Sequence, residues 1–399
     1  MKKNLHKSLF EIFVIFLRLG LTSFGGPIAH LGYFQNEFVT RREWVNQQSF
    51  ADLVALCQFL PGPTSSQVGF ALGLSRKGLL GGCMAWLGFT LPSALFLIFF
   101  ASFLDYEVGL LWTALFHGLK IVAVAVVAQA VVAMARTLCP DWTRIIVALT
   151  TMVLVLEIDG PFAQIGALTL GAIAGIFFCH TQPNNAAYNL SFSLSPRVSI
   201  IALTIFLTCL IGLPLLASSF GGHTLSLIDI FYSSGTFVFG GGHVVLPLLQ
   251  DKLVPNGWID NNTFISGYGL TQAMPGPLFS FAAYLGAAMK TSPNGLWGAM
   301  ICLFSLFIPG ILLVISILPF WSHIQKYKSA LTIMQGVNAS VVGLLGAALY
   351  TPLATTTLYT VADFAITFVS FLLLTKGKMP SYVVVGLTVG ASFLSQFIH

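Results

Sequence analysis

The sequence predicts an all-α polytopic membrane protein made of two inverted-topology repeats with broken or re-entrant motif helices, joined by one linker transmembrane helix. Three observations carry that expectation. Apolar residues fill 56% of 399 positions and charged residues only 8%, with a mean hydropathy of +0.88, whereas a soluble domain would carry about 25% charged residues. One unusual motif occurs twice, as Gln58-Phe59-Leu60-Pro61-Gly62-Pro63 and, 214 residues later, as Gln272-Ala273-Met274-Pro275-Gly276-Pro277. Each half makes an even number of crossings and one extra span separates them, so the second half is threaded in the opposite sense.

The elements follow in order. Lys2, Lys3 and Lys7 give a basic N-terminus, but no small-residue cleavage site follows a short apolar core, so a retained first membrane segment is expected. Segments 10–34 and 48–74 place Gly, Pro and Ser at mid-depth. Each is either a bent full span or a re-entrant pair of half-helices, and both forms stay open. Irregular backbone at that depth must be buried in protein or line a cavity. Apolar runs then predict spans near 79–104, 110–135, 144–158 and 161–179, a linker span at 200–216, and spans near 295–320, 331–351, 358–375 and 380–397. The domains are therefore 1–183, a linker at 184–222, and 223–399. Arg76-Lys77, Arg136, Arg144, Arg197, Lys326, Lys328, Lys376 and Lys378 fall on the side of the N-terminus, while Asp105, Glu107, Glu157 and Asp159 fall opposite. By the positive-inside rule the N-terminus is expected on the cytoplasmic side. The repeat register supports the division: Gly20 matches Gly235, Phe24 matches Phe239, Trp44 matches Trp258, Pro92 matches Pro309 and Gly118 matches Gly336.

Several functions are excluded. The cysteines Cys57, Cys83, Cys139, Cys179, Cys209 and Cys302 are isolated, so no metal or redox cofactor is expected. The net charge of +5 is scattered and marks no nucleic-acid surface. No Walker A pattern supplies ATP directly, and no nucleophile–base pair or metal motif makes the chain an enzyme. The seven tryptophans lie near predicted segment ends, as an interfacial belt would.

The repeated motif has a chemical reading. Pro61 stops one half-helix and Pro63 opens the next, with Gly62 giving the turn its freedom. The new helix would expose the N–H groups of Thr64, Ser65 and Ser66, an anion site formed by backbone dipoles. Pro275, Gly276 and Pro277 repeat the arrangement, and glycine clusters precede both copies: Ser23-Phe24-Gly25-Gly26-Pro27 and Val238-Phe239-Gly240-Gly241-Gly242. Gln58 and Gln272 open the motifs. Arg18 lies in mid-run, where an unpaired charge costs at least about 2.5–3.5 kcal/mol, and its planar fork suits an oxyanion; pairing with Glu11 is the structural alternative. Its repeat partner is Ser233, so one asymmetric site is expected. Lys120 is a second cation candidate that also has the reach to snorkel. Glu37, Asp52, His243 and Asp251 are the proton-carrier candidates, with His30 and His117 behind them.

These residues resemble the chromate ion transporter family, in Phe24-Gly25-Gly26-Pro27, Trp44, the first Pro-Gly-Pro, Phe239-Gly240-Gly241-Gly242-His243 and Met274-Pro275-Gly276-Pro277. The likeness spans the chain as the long form with two homologous domains. It implies an inner-membrane secondary active transporter that exports chromate, is driven by protons, interacts with sulfate as a near-isosteric dianion, and confers chromate resistance. Membrane lipid is the expected surrounding and a homodimer an open possibility of assembly. A transporter for another oxyanion and a passive anion channel are the alternatives, the latter because re-entrant loops also build selectivity filters.

Overall fold

A computed structural model provides the structure and describes residues 8–24, 26–102, 110–158, 161–179, 194–238, 244–321 and 327–398. No strand occurs among the described residues. In the first half, α1 (Leu9–Thr22), α2 (Gly26–Phe34, continued by a π-helical turn Gln35–Arg41), α3 (Gln47–Phe59) and α4 (Thr64–Ala101) precede α5 (Leu110–Leu138), α6 (Trp142–Glu157) and α7 (Pro161–Phe178). The linker is α8 (Pro196–Phe220). The second half repeats the order as α9 (His223–Phe237), α10 (Val245–Leu253), α11 (Asn261–Ala273), α12 (Phe281–Ala287), α13 (Gly295–Ile317), α14 (Lys328–Ala348), α15 (Val361–Thr375) and α16 (Ser381–Ile398). Among the described residues, five helices are long and apolar enough to cross a bilayer: α4, α5, α8, α13 and α14.

Local chemistry sets the boundaries. Ser8, Asn46, Asp141, Ser195 and Thr360 each cap a helix by accepting a backbone N–H three residues on. Gly221 ends the linker helix in the left-handed conformation. α4 is broken at Lys77 and Gly78, where Gly78 takes φ +61°, so its first 13 residues and its membrane-crossing remainder point differently.

The motif segments are re-entrant hairpins, the question that the sequence left open. Arg42, past α2, returns to 3.9 Å from Glu11 at the start of α1. Phe38 stacks on Phe16, 5.0 Å between centroids. In the second hairpin, Arg76 lies over the Trp44 ring at 5.0 Å, so α3 and the first part of α4 also start and finish on one face. The second half does likewise on its own face: His223 meets Trp258 at 4.3 Å, and the Lys290 N–H donates to Trp258 O.

The two faces are opposite ones. From Gly78, α4 crosses and leads to α5, where Phe116 O accepts from Ser266 Oγ and Lys120 donates to Asn262 Oδ1 at 3.2 Å. These contacts put the start of α5 beside the start of α11, on the second half's face. α8 makes the single compensating crossing: Ser199 Oγ donates to Ile315 O at the end of α13, and α8 ends beside His223. The repeats are therefore inverted.

Their later helices are exchanged. α5 packs on α15 and α16 of the other half, and α14 packs on α6 and α7. Small residues make this possible. A Cβ on Gly118 would meet Val389 Cα at 2.8 Å, and one on Gly336 would run into Gly171 O and Gly175. Four of the expected spans are short. α6 and α15 have 16 and 15 residues, or roughly 24 and 22 Å at about 1.5 Å per residue, against a hydrocarbon core of about 30 Å. The tryptophan belt needs correction: Trp142 and Trp297 are exposed, but Trp44, Trp86 and Trp321 are buried in ring contacts with Phe38, Phe307 and Phe59.

Two outcomes are expected. Cysteines placed at Arg76 and Lys290 will react with an impermeant maleimide from opposite sides of oriented vesicles; reaction from the same side would contradict inversion. Gly336→Ala will lower the yield of monodisperse protein in detergent, because overpacking costs typically about 1–3 kcal/mol, while Gly212→Ala, with no atom within 4 Å of the new methyl, will leave it unchanged.

Candidate functional site

The hairpin tips of the two halves meet and bond reciprocally. The Gly62 N–H donates to Val238 O at 2.7 Å, and the Gly276 N–H donates to Ser23 O at 2.9 Å. Gly62 and Gly276 are repeat partners, and so are Ser23 and Val238. A backbone group left unpaired at this depth would cost several kcal/mol, so each half satisfies the break in the other. Glycine is required at both turns. Gly62 has φ +121° and Gly276 φ +96°, and a Cβ would lie 3.0 Å from Gly310 Cα in the first case and 2.9 Å from Ser93 Oγ in the second.

Polar side chains surround the crossing. Gln67, fully buried, donates from Nε2 to Pro61 O at 2.8 Å and to Gly310 O at 3.1 Å, which ties the first tip to α13. Ser93 Oγ on α4 lies 2.7 Å from Ser280 Oγ after the second motif. Ser65 Oγ is 3.3 Å from His30 Nδ1. Pro63 stands at the start of α4 with no side chain capping it, and Thr64, Ser65 and Ser66 are buried there. Ser23 Oγ, Ser66 Oγ, Thr90 Oγ1 and Gln272 Nε2 are buried without a hydrogen-bond partner among the described residues. These neutral donors and the free helix start can hold an anion by hydrogen bonds alone, and no acidic group belongs to the set.

The structure thus brings together Ser23, Pro61, Gly62, Pro63, Thr64, Ser65, Gln272, Pro275, Gly276 and Pro277, with Gly26 opening α2 beside them. Gln58 is exposed on α3, unlike buried Gln272. Gly25, Gly240, Gly241 and His243 lie outside the described residues. Arg18 sits on the exposed face of α1, one turn before the tip, with its carbonyl accepting from Thr22 Oγ1; Glu11, its expected alternative partner, faces Arg42. Lys120 reaches Asn262 at the second face, away from the tips. Among the proton-carrier candidates, Glu37 is held by Arg41 and Arg42. Burial pushes its pKa up, but hydrogen bonds and charge from the two arginines outweigh burial and keep it below the ordinary value, so it stays ionised at neutral pH. Asp52 is buried in α3 and Asp251 is exposed on α10.

Sequence reasoning missed Gln67, Thr90, Ser93 and Lys252. Thr90 and Ser93 flank Pro92 in an otherwise apolar run, which was a usable signal. Lys252 Nζ donates to Ser233 Oγ at 2.7 Å, and Ser233 is the position matched to Arg18. The second half therefore also carries a cation at that level, supplied from α10.

The chromate transporter family matches residues 10–178 and 225–393. A "Chromate transport protein" of Pseudomonas aeruginosa is 28% identical over 354 residues, covering 84% of this chain and 79% of that protein. A "Probable chromate transport protein" of Synechococcus elongatus is 27% identical over 350 residues, covering 86% and 84%. A "Chromate transport protein" of Cupriavidus metallidurans is 24% identical over 349 residues, covering 85% and 81%. No solved structure matches the chain. With both inverted halves matched over nearly their full length, the chain belongs to the chromate transporter family, in its two-repeat form.

Proposed function

We propose that this protein exports chromate, as a tetrahedral dianion, across the inner membrane by secondary active transport driven by protons, and so confers chromate resistance. The observation that carries the reading is the reciprocal bonding of Gly62 to Val238 and Gly276 to Ser23, with buried donors gathered around it. Family membership and the printed names of the relatives point to the same substrate. The N–H groups after Pro63 and the donors of Ser23, Ser66, Thr90 and Gln272 hold the dianion, and Arg18 steers it toward the tips. Neutral donors hold a dianion firmly enough to strip part of its hydration without trapping it as a buried ion pair would.

The chemistry of transport follows from the fold. Each tip is bonded to the opposite half, so a shift of one half against the other changes both tips together. Alternating access then opens one hairpin mouth as it closes the other. The inverted arrangement lets the two halves take up exchanged conformations in the two end states, one open to each side. The membrane lipid fills the outer faces of α6, α7, α8 and α15, where exposed apolar side chains concentrate, and a homodimer buries part of this surface. Sulfate, the near-isosteric dianion, competes for the same donors.

The direct test is uptake of radiolabelled chromate into everted vesicles under an acid-inside gradient. Uptake against the chromate gradient, abolished by an uncoupler and inhibited by sulfate, is the expected outcome. Gly276→Ala will reduce it at least about fivefold at normal membrane abundance, because a left-handed backbone and a crowded Ser93 together cost about 1–3 kcal/mol. Uncoupler-insensitive flux with single-channel currents would make the protein a channel instead.

A further inference from the structure

Beside the first tip lies a cavity of about 540 Å³, lined by Leu21, Thr22, Phe24, Ala29, Tyr33, Lys378, Pro380 and Tyr382. The two halves build it jointly. Thr22 and Phe24 belong to the first hairpin tip and Tyr33 to α2, while Lys378 comes from the turn between α15 and α16 and Tyr382 from the first turn of α16. The Phe24 and Tyr382 rings touch at 4.5 Å between centroids. The shortness of α15 explains the cavity: its roughly 22 Å length stops the turn at the level of the tip, short of the first face.

Two features argue that water and anions fill this space rather than lipid. The lining includes one cation and three hydroxyls and no acidic side chain. Arg18, four residues before Thr22, is a second cation exposed on the same face of α1. In contact with hydrocarbon each cation would cost at least about 2.5–3.5 kcal/mol, which a hydrated cleft removes. Lys376, two residues from Lys378, does not line the cavity. The volume falls in the range of ligand sites, about 300–1,000 Å³, far above a bare five-atom anion.

We propose that this cleft is a selective vestibule in which a hydrated tetrahedral dianion binds before it reaches the tips, held by Lys378 and by the hydroxyls of Tyr33 and Tyr382. The proposal rests on the dianion reading above and adds a site that composition and repeat matching did not reveal. Lys378 is a recruiting residue: it raises the local concentration of substrate and leaves the crossing step to the tips. Its loss should therefore raise KM and spare the maximal rate.

The test measures initial rates of chromate uptake in proteoliposomes containing the full chain, with sulfate as competitor. Lys378→Gln is expected to raise KM about tenfold and raise the sulfate inhibition constant in parallel, with the maximal rate within about twofold. Lys378→Arg should restore KM, and Lys376→Gln should leave it unchanged. Tyr33→Phe combined with Tyr382→Phe should raise KM about threefold, and it carries the test if Lys378→Gln fails to fold. An unchanged KM in Lys378→Gln and in the tyrosine pair, or a KM rise equal to that in Lys376→Gln, would overturn the vestibule while wild-type transport left the dianion reading intact. A wild type that moves neither chromate nor sulfate would overturn both.

Discussion

Two backbone hydrogen bonds at the middle of the membrane govern this architecture. A broken helix leaves N–H and C=O groups with no partner, and hydrocarbon supplies none. Here the N–H of Gly62 finds Val238 of the other half, and the N–H of Gly276 finds Ser23. Neither break is tolerable alone. The requirement explains why both halves keep a Pro-Gly-Pro, why both turns are left-handed glycines, and why the halves must be inverted for their tips to meet. It also explains the exchange of later helices: α5 packs on α15 and α16, and α14 on α6 and α7, so the halves cannot drift apart and strand those groups.

The same constraint generates function. Satisfying the tips leaves the start of α4 uncapped, facing a set of buried hydroxyl and amide donors. Those donors are neutral, which suits transient binding of a dianion, and the cations stand off from them. Arg18 lies on the exposed face of α1, Lys378 in the adjoining cleft, and Lys252 against Ser233 on α9. In the proposed reading, charge gathers substrate at the edges while oriented dipoles hold it at the centre. That division of labour follows the physics of a low-dielectric interior, where a fixed buried cation would bind a dianion too tightly to release it.

Much of this was legible in the sequence, and the unread part has physical causes. Matched glycines and prolines exposed the repeats because positive-φ turns and helix breaks accept few other residues. Charge alternation and the odd linker span gave inversion. The choice between bent spans and hairpins was invisible, because it rests on contacts such as Arg42 with Glu11 and Arg76 with Trp44 that join residues about 30 positions apart. The exchange of α5 and α14 left only small residues as its trace, Gly118, Gly171, Gly175 and Gly336, and glycine is common in every membrane helix. Lys252 escaped because it replaces Arg18 in space from another sequence position. Lys120, read as a mid-span cation, is instead bonded to Asn262 at the start of α11, a partner 142 residues away that the sequence does not reveal.

The contact between Ser93 and Ser280 probes the meeting of the halves most directly, since their hydroxyl oxygens lie 2.7 Å apart across 187 residues of chain. Chains carrying Ser93→Cys and Ser280→Cys together should form that disulfide under mild oxidation in native membranes, identified by peptide mass spectrometry, and should lose transport until reduced. Two free thiols that alkylate independently and never link would contradict the crossing of the tips on which the account depends.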